Sequence, residues 1–330
     1  MTNFRTKLPS LLYPIKINHQ RPSLCLGSCF AEHMGKRLSK YQFPTLINPF
    51  GILYNPISIA DQLHRVLKQD HYEADELFEQ QGLWHHFLFH SRFSGRDKSQ
   101  VLSTMNDQLQ QTGLFLARTN QLIITLGTAR VFIEKSRQEV VANCHKLPSS
   151  RFERKLLSVE ECTNALASVF EKVSISNPKI NIILTVSPIR HIRDGLLENQ
   201  QSKSTLLLAC AALQKQYDYV HYFPAWEIMM DDLRDYRFYD SDMIHPNETA
   251  IDYIWDYFKK GLFSEESIGL LAKLDKLIQA SRHRPFQVES NAHQAFLRKQ
   301  LEEIEKMNQA FPFLSFDEER GLLEAQLLEK

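Results

Sequence analysis

The chain has no surplus of either charge: lysine plus arginine number 39, and so do aspartate plus glutamate. A protein that neutralises phosphates carries a basic excess, so nucleic acid is not expected as a partner. No stretch approaches the ~20 consecutive apolar residues of a membrane-spanning helix. Met1–Pro14 offers only a short Leu11-Leu12-Tyr13 run after Arg5 and Lys7, without a small-residue cleavage site, so no secretory leader is expected. The cysteines number five and are never spaced C-x-x-C, which argues against a disulfide framework and a structural zinc site. A reducing, cytoplasmic location is the expectation. Repeats and low-complexity tracts are missing. The glycines at 27, 51 and 127 form neither G-x-G-x-x-G nor a phosphate-binding loop, so no nucleotide, metal or other cofactor is expected.

What is present is an ordinary globular composition, 330 residues at 43% hydrophobic and 24% charged, enough for one large domain or one domain with an extension. Short β-branched runs alternate with helical patterns, the arrangement of a parallel sheet covered by helices. Ser23–Leu26 reads as a first strand stopping at Gly27, and Phe30, Met34, Leu38 and Tyr41 follow at helical spacing. Gln121–Leu126, Lys179–Val186 and Tyr219–Phe223 read as further strands. Pro246–Phe258 reads as a helix with Pro246 in its first turn, where a missing N–H costs nothing. Past residue 262 the strands cease. Ser264–Ala280 and Ala292–Gln309 are amphipathic helices joined by a linker, Ser281–Pro285. The expected division is an α/β domain, 1–262, and a helical C-terminal extension, 263–330, with the first able to fold alone.

In open α/β sheets ligands bind at the carboxyl ends of the strands. At the first of these ends stands Gly27-Ser28-Cys29-Phe30-Ala31. Cys29 falls at a helix N-terminus, where the macrodipole favours a thiolate and lowers the thiol pKa. The plain alternative is a cysteine buried in the core. Near the last strand stands Asp242-Met243-Ile244-His245-Pro246-Asn247. Three-residue spacing in a turn lets the carboxylate hold one imidazole nitrogen while the other faces a nucleophile. Its alternative is an aspartate capping a turn beside a surface histidine.

Four further blocks lie between these two: Asn48-Pro49-Phe50-Gly51, Thr125-Leu126-Gly127-Thr128, Asn143-Cys144-His145-Lys146 and Ser187-Pro188-Ile189-Arg190-His191. With Gly27–Ala31 and Asp242-x-x-His245-Pro246, in this order, the chain resembles the GSCFA family, which in turn resembles the SGNH (GDSL-like) hydrolases. The resemblance implies a three-layer flavodoxin-like fold with the nucleophile after the first strand and the Asp/His pair near the end. Laid over the Gly-Asp-Ser of the SGNH pattern, Gly27-Ser28-Cys29 places Cys29 on the nucleophile, with Ser28 the alternative. The same pattern implies three oxyanion donors: the nucleophile's N–H, the N–H of Gly51, and an asparagine of the third block. Here that block reads Gly127-Thr128-Ala129, so the Thr128 hydroxyl or Asn143 is expected to donate instead.

Adjacent residues on an extended segment point to opposite sides, so Cys144 and His145 are not expected to form a dyad. Asn143 and His145 are candidates for site lining and Cys144 for packing. Trp84–Ser91 carries three histidines; His86 and His90 would suit zinc on a helix. Interleaved aromatics favour a strand instead, an aromatic wall beside the site. Arg190 is a candidate clamp for a substrate carboxylate or phosphate, its alternative being a solvated loop with local ion pairs. Asp231–Tyr239 reads as a charged lid held by surface pairs. The expected function is an acyl-ester hydrolase or O-acyltransferase acting on a small-molecule or carbohydrate substrate. A catalytically silent carbohydrate- or partner-binding module on an SGNH-like scaffold is the alternative. For the enzyme, Cys29 Sγ is expected within about 4 Å of a His245 ring nitrogen, allowing for loose resting geometry; a separation beyond twice that, with no mobile loop between them, favours the binding module.

Overall fold

Alternation along three buried strands decides the architecture. Leu24, Leu26, Leu122, Ile124, Ile182 and Leu184 point to one hydrophobic cluster, while Cys25, Ile123 and Ile183 point to another. Both faces of the sheet therefore need cover, and both have it in the computed structural model, which describes residues 5–328. The strands are β1 (Ser23–Gly27), β2 (Thr45–Ile47), β3 (Phe78–Gln80), β4 (Leu83–His85), β5 (Gln121–Leu126), β6 (Arg130–Glu134), β7 (Glu139–Val141), β8 (Phe152–Leu156), β9 (Asn181–Val186) and β10 (Val220–Tyr222). The helices are α1 (Cys29–Lys40), α2 (Pro56–Lys68), α3 (Lys98–Leu116), α4 (Val159–Ser176), α5 (Leu196–Gln216), α6 (Ala225–Glu227), α7 (Glu248–Leu262), α8 (Glu265–Ser281), α9 (Asn291–Ala310) and α10 (Asp317–Glu324).

The central sheet is parallel and five-stranded, in the order β2-β1-β5-β9-β10. The chain steps outward from β1 to β2, then returns to the other side of β1 for β5. That reversal opens a crevice at the carboxyl ends of β1 and β5, where ligands bind in such sheets. Helices α2, α3, α4 and α5 cover one face through Leu63, Leu109, Leu166 and Leu206. Helices α1 and α7 cover the other through Phe30, Leu38, Ile254 and Phe258, making three layers.

Helices α8–α10 lie on this second face. Leu271, Leu297, Ile304 and Leu323 are buried in the same cluster as Phe30 and Trp255. Tyr41, which caps α1, donates to Asp275 of α8 at 2.7 Å, and Gln42 exchanges two hydrogen bonds with Ser315, at 2.5 and 2.8 Å. The 262/263 boundary thus coincides with the end of a helix and not with a gap in the core.

The strand at 121–126 forms as expected, and the others differ from expectation by a residue or two at their ends. Pro246 is not in the first turn of α7; it pairs with Tyr239, and Asn247 caps the helix, its Oδ1 accepting from Ala250 N at 3.1 Å. The β3–β4 hairpin and the antiparallel sheet β7-β6-β8 were not legible. Their strands are three to five residues long and half-exposed. In Phe152–Leu156, three charged residues in succession erase the two-residue period.

Candidate active site

The turn after β1 is built by a glycine that no other residue could replace. Gly27 has φ +129°, and a Cβ there would stand 2.1 Å from the Thr125 carbonyl oxygen. Its N–H donates to Asn48 Oδ1 at 2.9 Å, and the next N–H, of Ser28, donates to Thr125 O at 3.0 Å. Ser28 is the N-cap of α1, its Oγ accepting from Phe30 N at 3.3 Å, and is buried with its hydroxyl turned to that role. Cys29 opens the helix, half-buried. Its hydrogen-bond partner among the described residues is Tyr54 Oη at 3.9 Å, not His245. The expected lowering of the thiol pKa does not occur. Burial pushes the Cys29 thiol up and Glu32, one turn along, adds to this, against opposing hydrogen bonds from Tyr54 and the Cys29 N–H.

The Asp242–His245 turn does take the expected form. Asp242 Oδ1 accepts from the N–H groups of Ile244 and His245 at 2.8 and 2.9 Å, and Oδ2 meets His245 Nδ1 at 2.6 Å. These bonds hold the Asp242 carboxyl down at about 2, the His245 backbone N–H contributing most. Met243 takes φ +58° to close the turn, and Asp240 N bonds back to His245 O at 2.8 Å. With Nδ1 engaged, Nε2 is the nitrogen left for chemistry. His245 lies near enough to His33 of α1 and to His191 for its charge to add to the lowering that burial imposes on both. His33 is one turn beyond Cys29 on α1, which places the Asp242–His245 turn on the side of that helix.

The expected donors on Gly51, Gly127, Thr128 and Asn143 already have partners. Gly51 N–H donates to Asn48 O at 2.8 Å; glycine is required there because a Cβ would meet His90 Cβ at 2.1 Å. The N–H groups of Gly127 and Thr128 both donate to Tyr54 O, at 2.8 and 3.0 Å. The Thr128 hydroxyl shares a 2.9 Å bond with Ser202 Oγ and accepts from Arg130 N at 3.0 Å. Asn143 Nδ2 donates to Ser91 Oγ at 3.3 Å while its Oδ1 accepts from His145 N at 2.8 Å. His145 is buried, with Nε2 bonded to His86 O at 2.8 Å, and burial pushes it down to about 4. These two residues build the loop behind Gly51 and His90. Cys144 packs beside Phe87, Val141 and Phe152. The strand expected over Trp84–Ser91 forms only at its start, within β4; His86–His90 is a turn, neither strand nor helix, and among the described residues no three His, Cys, Asp or Glu are grouped to hold a metal ion.

Arg190 has no carboxylate partner among the described residues. Its guanidinium lies 4.7 Å over the Tyr239 ring and 5.5 Å over that of Tyr236, and donates to Tyr236 Oη at 3.4 Å. The loop after β9 is thereby tied to the segment leading into the Asp242 turn.

Three residues of the site were missed. Tyr54 touches the Cys29 sulfur. His191 presents its ring edge-on to Tyr54, centroids 5.1 Å apart at 87°, and burial pushes it down to about 4. Lys203 is wholly buried, donating to Gly127 O and Ser187 O at 2.7 Å each, with Trp226 beneath it at 5.0 Å. Burial pushes this lysine down to about 7. No periodicity marks it, because α5 buries Asn199, Ser202 and Lys203 on its inner face. Tyr54 and His191 sit within the quoted blocks or just beyond, and that proximity was their signal.

Comparison with known families matches residues 22–258 to the GSCFA family. The chain belongs to the GSCFA family. Residues 274–329 match a second description, the GSCFA domain protein, C-terminal domain, so α9 and α10 are parts of a recognised GSCFA element. No curated protein matches the chain. The GSCFA match includes every element of the central sheet and both Cys29 and the Asp242–His245 pair.

Proposed function

We propose that this GSCFA chain is an acyl-ester hydrolase or O-acyltransferase of SGNH-like type. Cys29 is its nucleophile, His245 its general base and acid, and Asp242 the residue that orients His245. Cys29 Sγ attacks the acyl carbonyl carbon as its proton passes to His245 Nε2. The ester C–O bond breaks, the alkoxide takes that proton, and the acyl group remains as a thioester. Water or an acceptor hydroxyl then attacks the thioester, giving up a proton through His245 and restoring the thiol. Arg190, which has no carboxylate partner among the described residues, meets an acidic group on the substrate in this reading. The observation that carries this reading is the 2.6 Å Asp242–His245 bond, in a chain whose partly buried Cys29 stands at a helix N-terminus.

One observation favours the competitor, a catalytically silent binding module: Cys29 Sγ bonds Tyr54 and not His245. Resting catalytic contacts are often loose and tighten around substrate. The two readings separate by intact-mass measurement after mixing with p-nitrophenyl acetate and longer acyl esters. Acyl transfer gives a one-acyl adduct that maps to Cys29 and is lost in Cys29→Ala. A chain that neither gains an adduct nor releases p-nitrophenolate is the binding module.

A further inference from the structure

An oxyanion formed on a substrate carbonyl at Cys29 needs donors aimed at it in advance. The N–H groups of Gly51, Gly127 and Thr128 have partners already, the Thr128 hydroxyl is paired with Ser202, and Asn143 Nδ2 donates to Ser91 Oγ, so of the backbone groups that the sequence nominates only the Cys29 N–H is left. One side-chain donor remains on the sulfur. Tyr54 Oη stands 3.9 Å from Cys29 Sγ, and no other hydrogen bond of this hydroxyl occurs among the described residues. We infer that the Tyr54 phenol is the side-chain oxyanion donor of this site, acting beside the Cys29 N–H. The inference rests on the acyl-transfer reading above.

The distance suits this role better than it suits a resting hydrogen bond to sulfur. The oxyanion oxygen is two bonds from Sγ, so it can stand between the sulfur and the hydroxyl at roughly the 2.7–3.1 Å that such donors require. The phenol is also held in place before reaction. Tyr54 O accepts from Gly127 and Thr128, and Gly127 O in turn accepts from the buried Lys203, which also grips Ser187 O. The following residue, Asn55, caps α2 by accepting from Ser58 N at 2.8 Å, and His191 closes one side of the ring. A donor fixed from so many sides costs little reorganisation as charge develops. Burial, chiefly, pushes the phenol well above its ordinary range, so it keeps its proton and donates throughout. No proton is transferred from it: it lends a hydrogen bond to the oxyanion and takes it back when the carbonyl reforms.

The test compares two reactions of one sulfur. Acylation by p-nitrophenyl acetate passes through an oxyanion, and alkylation by iodoacetamide does not. Tyr54→Phe keeps the ring and every backbone bond. It is expected to slow acylation of Cys29 by ~10²–10³-fold, and alkylation by no more than about tenfold, the worth of one hydrogen bond to the thiolate. A thermal melt verifies the fold. If the wild type is acylated and Tyr54→Phe is acylated at the same rate, the inference fails alone. Equal losses in both reactions also overturn it, since Tyr54 then acts on the sulfur and not on the oxyanion. If the wild type is alkylated at Cys29 but never acylated, the acyl-transfer reading fails and takes this inference with it.

Discussion

Cys29 and the Asp242–His245 turn are held in opposite ways. The cysteine corner is wired into the sheet. Gly27, Ser28, Asn48, Tyr54 and Gly127 are cross-linked by backbone hydrogen bonds, with a buried lysine behind them. The His245 turn is closed mainly by its own carboxylate, and the side chains of His245 and Asp242 are 41% and 44% exposed. Charge follows the same division. Burial raises the Cys29 thiol, while unburied Asp242, bonded by its own turn, is held down at about 2. The thiol is thus fixed by the framework of the sheet, and the imidazole by the bonds of a single turn.

The comparison breaks most completely if the rigid side loses its support. A chain ending at Phe263 gives up Leu270, Leu271, Leu274, Leu277, Leu297, Ile304 and Leu323, all buried in the cluster that α1 and α7 share. Part of their burial, about 1.5–3 kcal/mol for each side chain before ordering entropy is deducted, supports α1 and α7, against roughly 5–15 kcal/mol that stabilises a whole domain. The expected outcome is a chain without a cooperative urea transition. A truncated chain with a wild-type midpoint would show the rigid corner to be independent of these helices.

A second prediction concerns the exposed turn. His245→Ala should leave the melting temperature nearly unchanged, because the side chain packs little, and should lower acyl turnover by ~10² or more. Asp242→Asn should cost less, since it removes orientation and leaves the base. Steady-state rates on a p-nitrophenyl ester, with melts on the same samples, check both halves. A large loss of stability in His245→Ala would mean that the turn is part of the rigid framework.

A third prediction separates the two sides by pH. Lys203 is held down to about 7 by burial, against about 10.4 for a lysine in the unfolded chain. Between these values the unfolded state binds a proton that the folded state does not, so stability should rise with pH across that window. Lys203→Met should remove this rising component. It should also cost about 1–3 kcal/mol for each carbonyl left unpaired, Gly127 O and Ser187 O. Urea midpoints from pH 7 to 10 for the two proteins test this. Parallel profiles would mean that Lys203 does not change its proton affinity on folding.

Much of the frame was legible because it depends on local signals. Buried runs such as Gln121–Leu126 announce strands, and a glycine before Ser28-Cys29 announces the turn that ends β1. The Asp242–His245 pair was legible for the same reason, since three residues of one turn settle it. The partners of the Gly51 and Gly127 N–H groups were not legible, because an N–H is available only if nothing else takes it. Gly51 and Gly127 were in the right blocks, yet Asn48 O and Tyr54 O hold their N–H groups.

The sequence by itself determined the alternation that makes a two-faced parallel sheet, the strand-to-helix turn at Cys29 and the carboxylate–imidazole pair. Each follows from steric and hydrogen-bonding preferences acting over a few neighbouring residues. Only the tertiary structure decided that Tyr54 meets the sulfur, that Lys203 lies buried without a carboxylate, that the thiol is raised, and that α8–α10 share the core of α1. Those outcomes depend on desolvation and on partners distant in the chain, which no local pattern encodes.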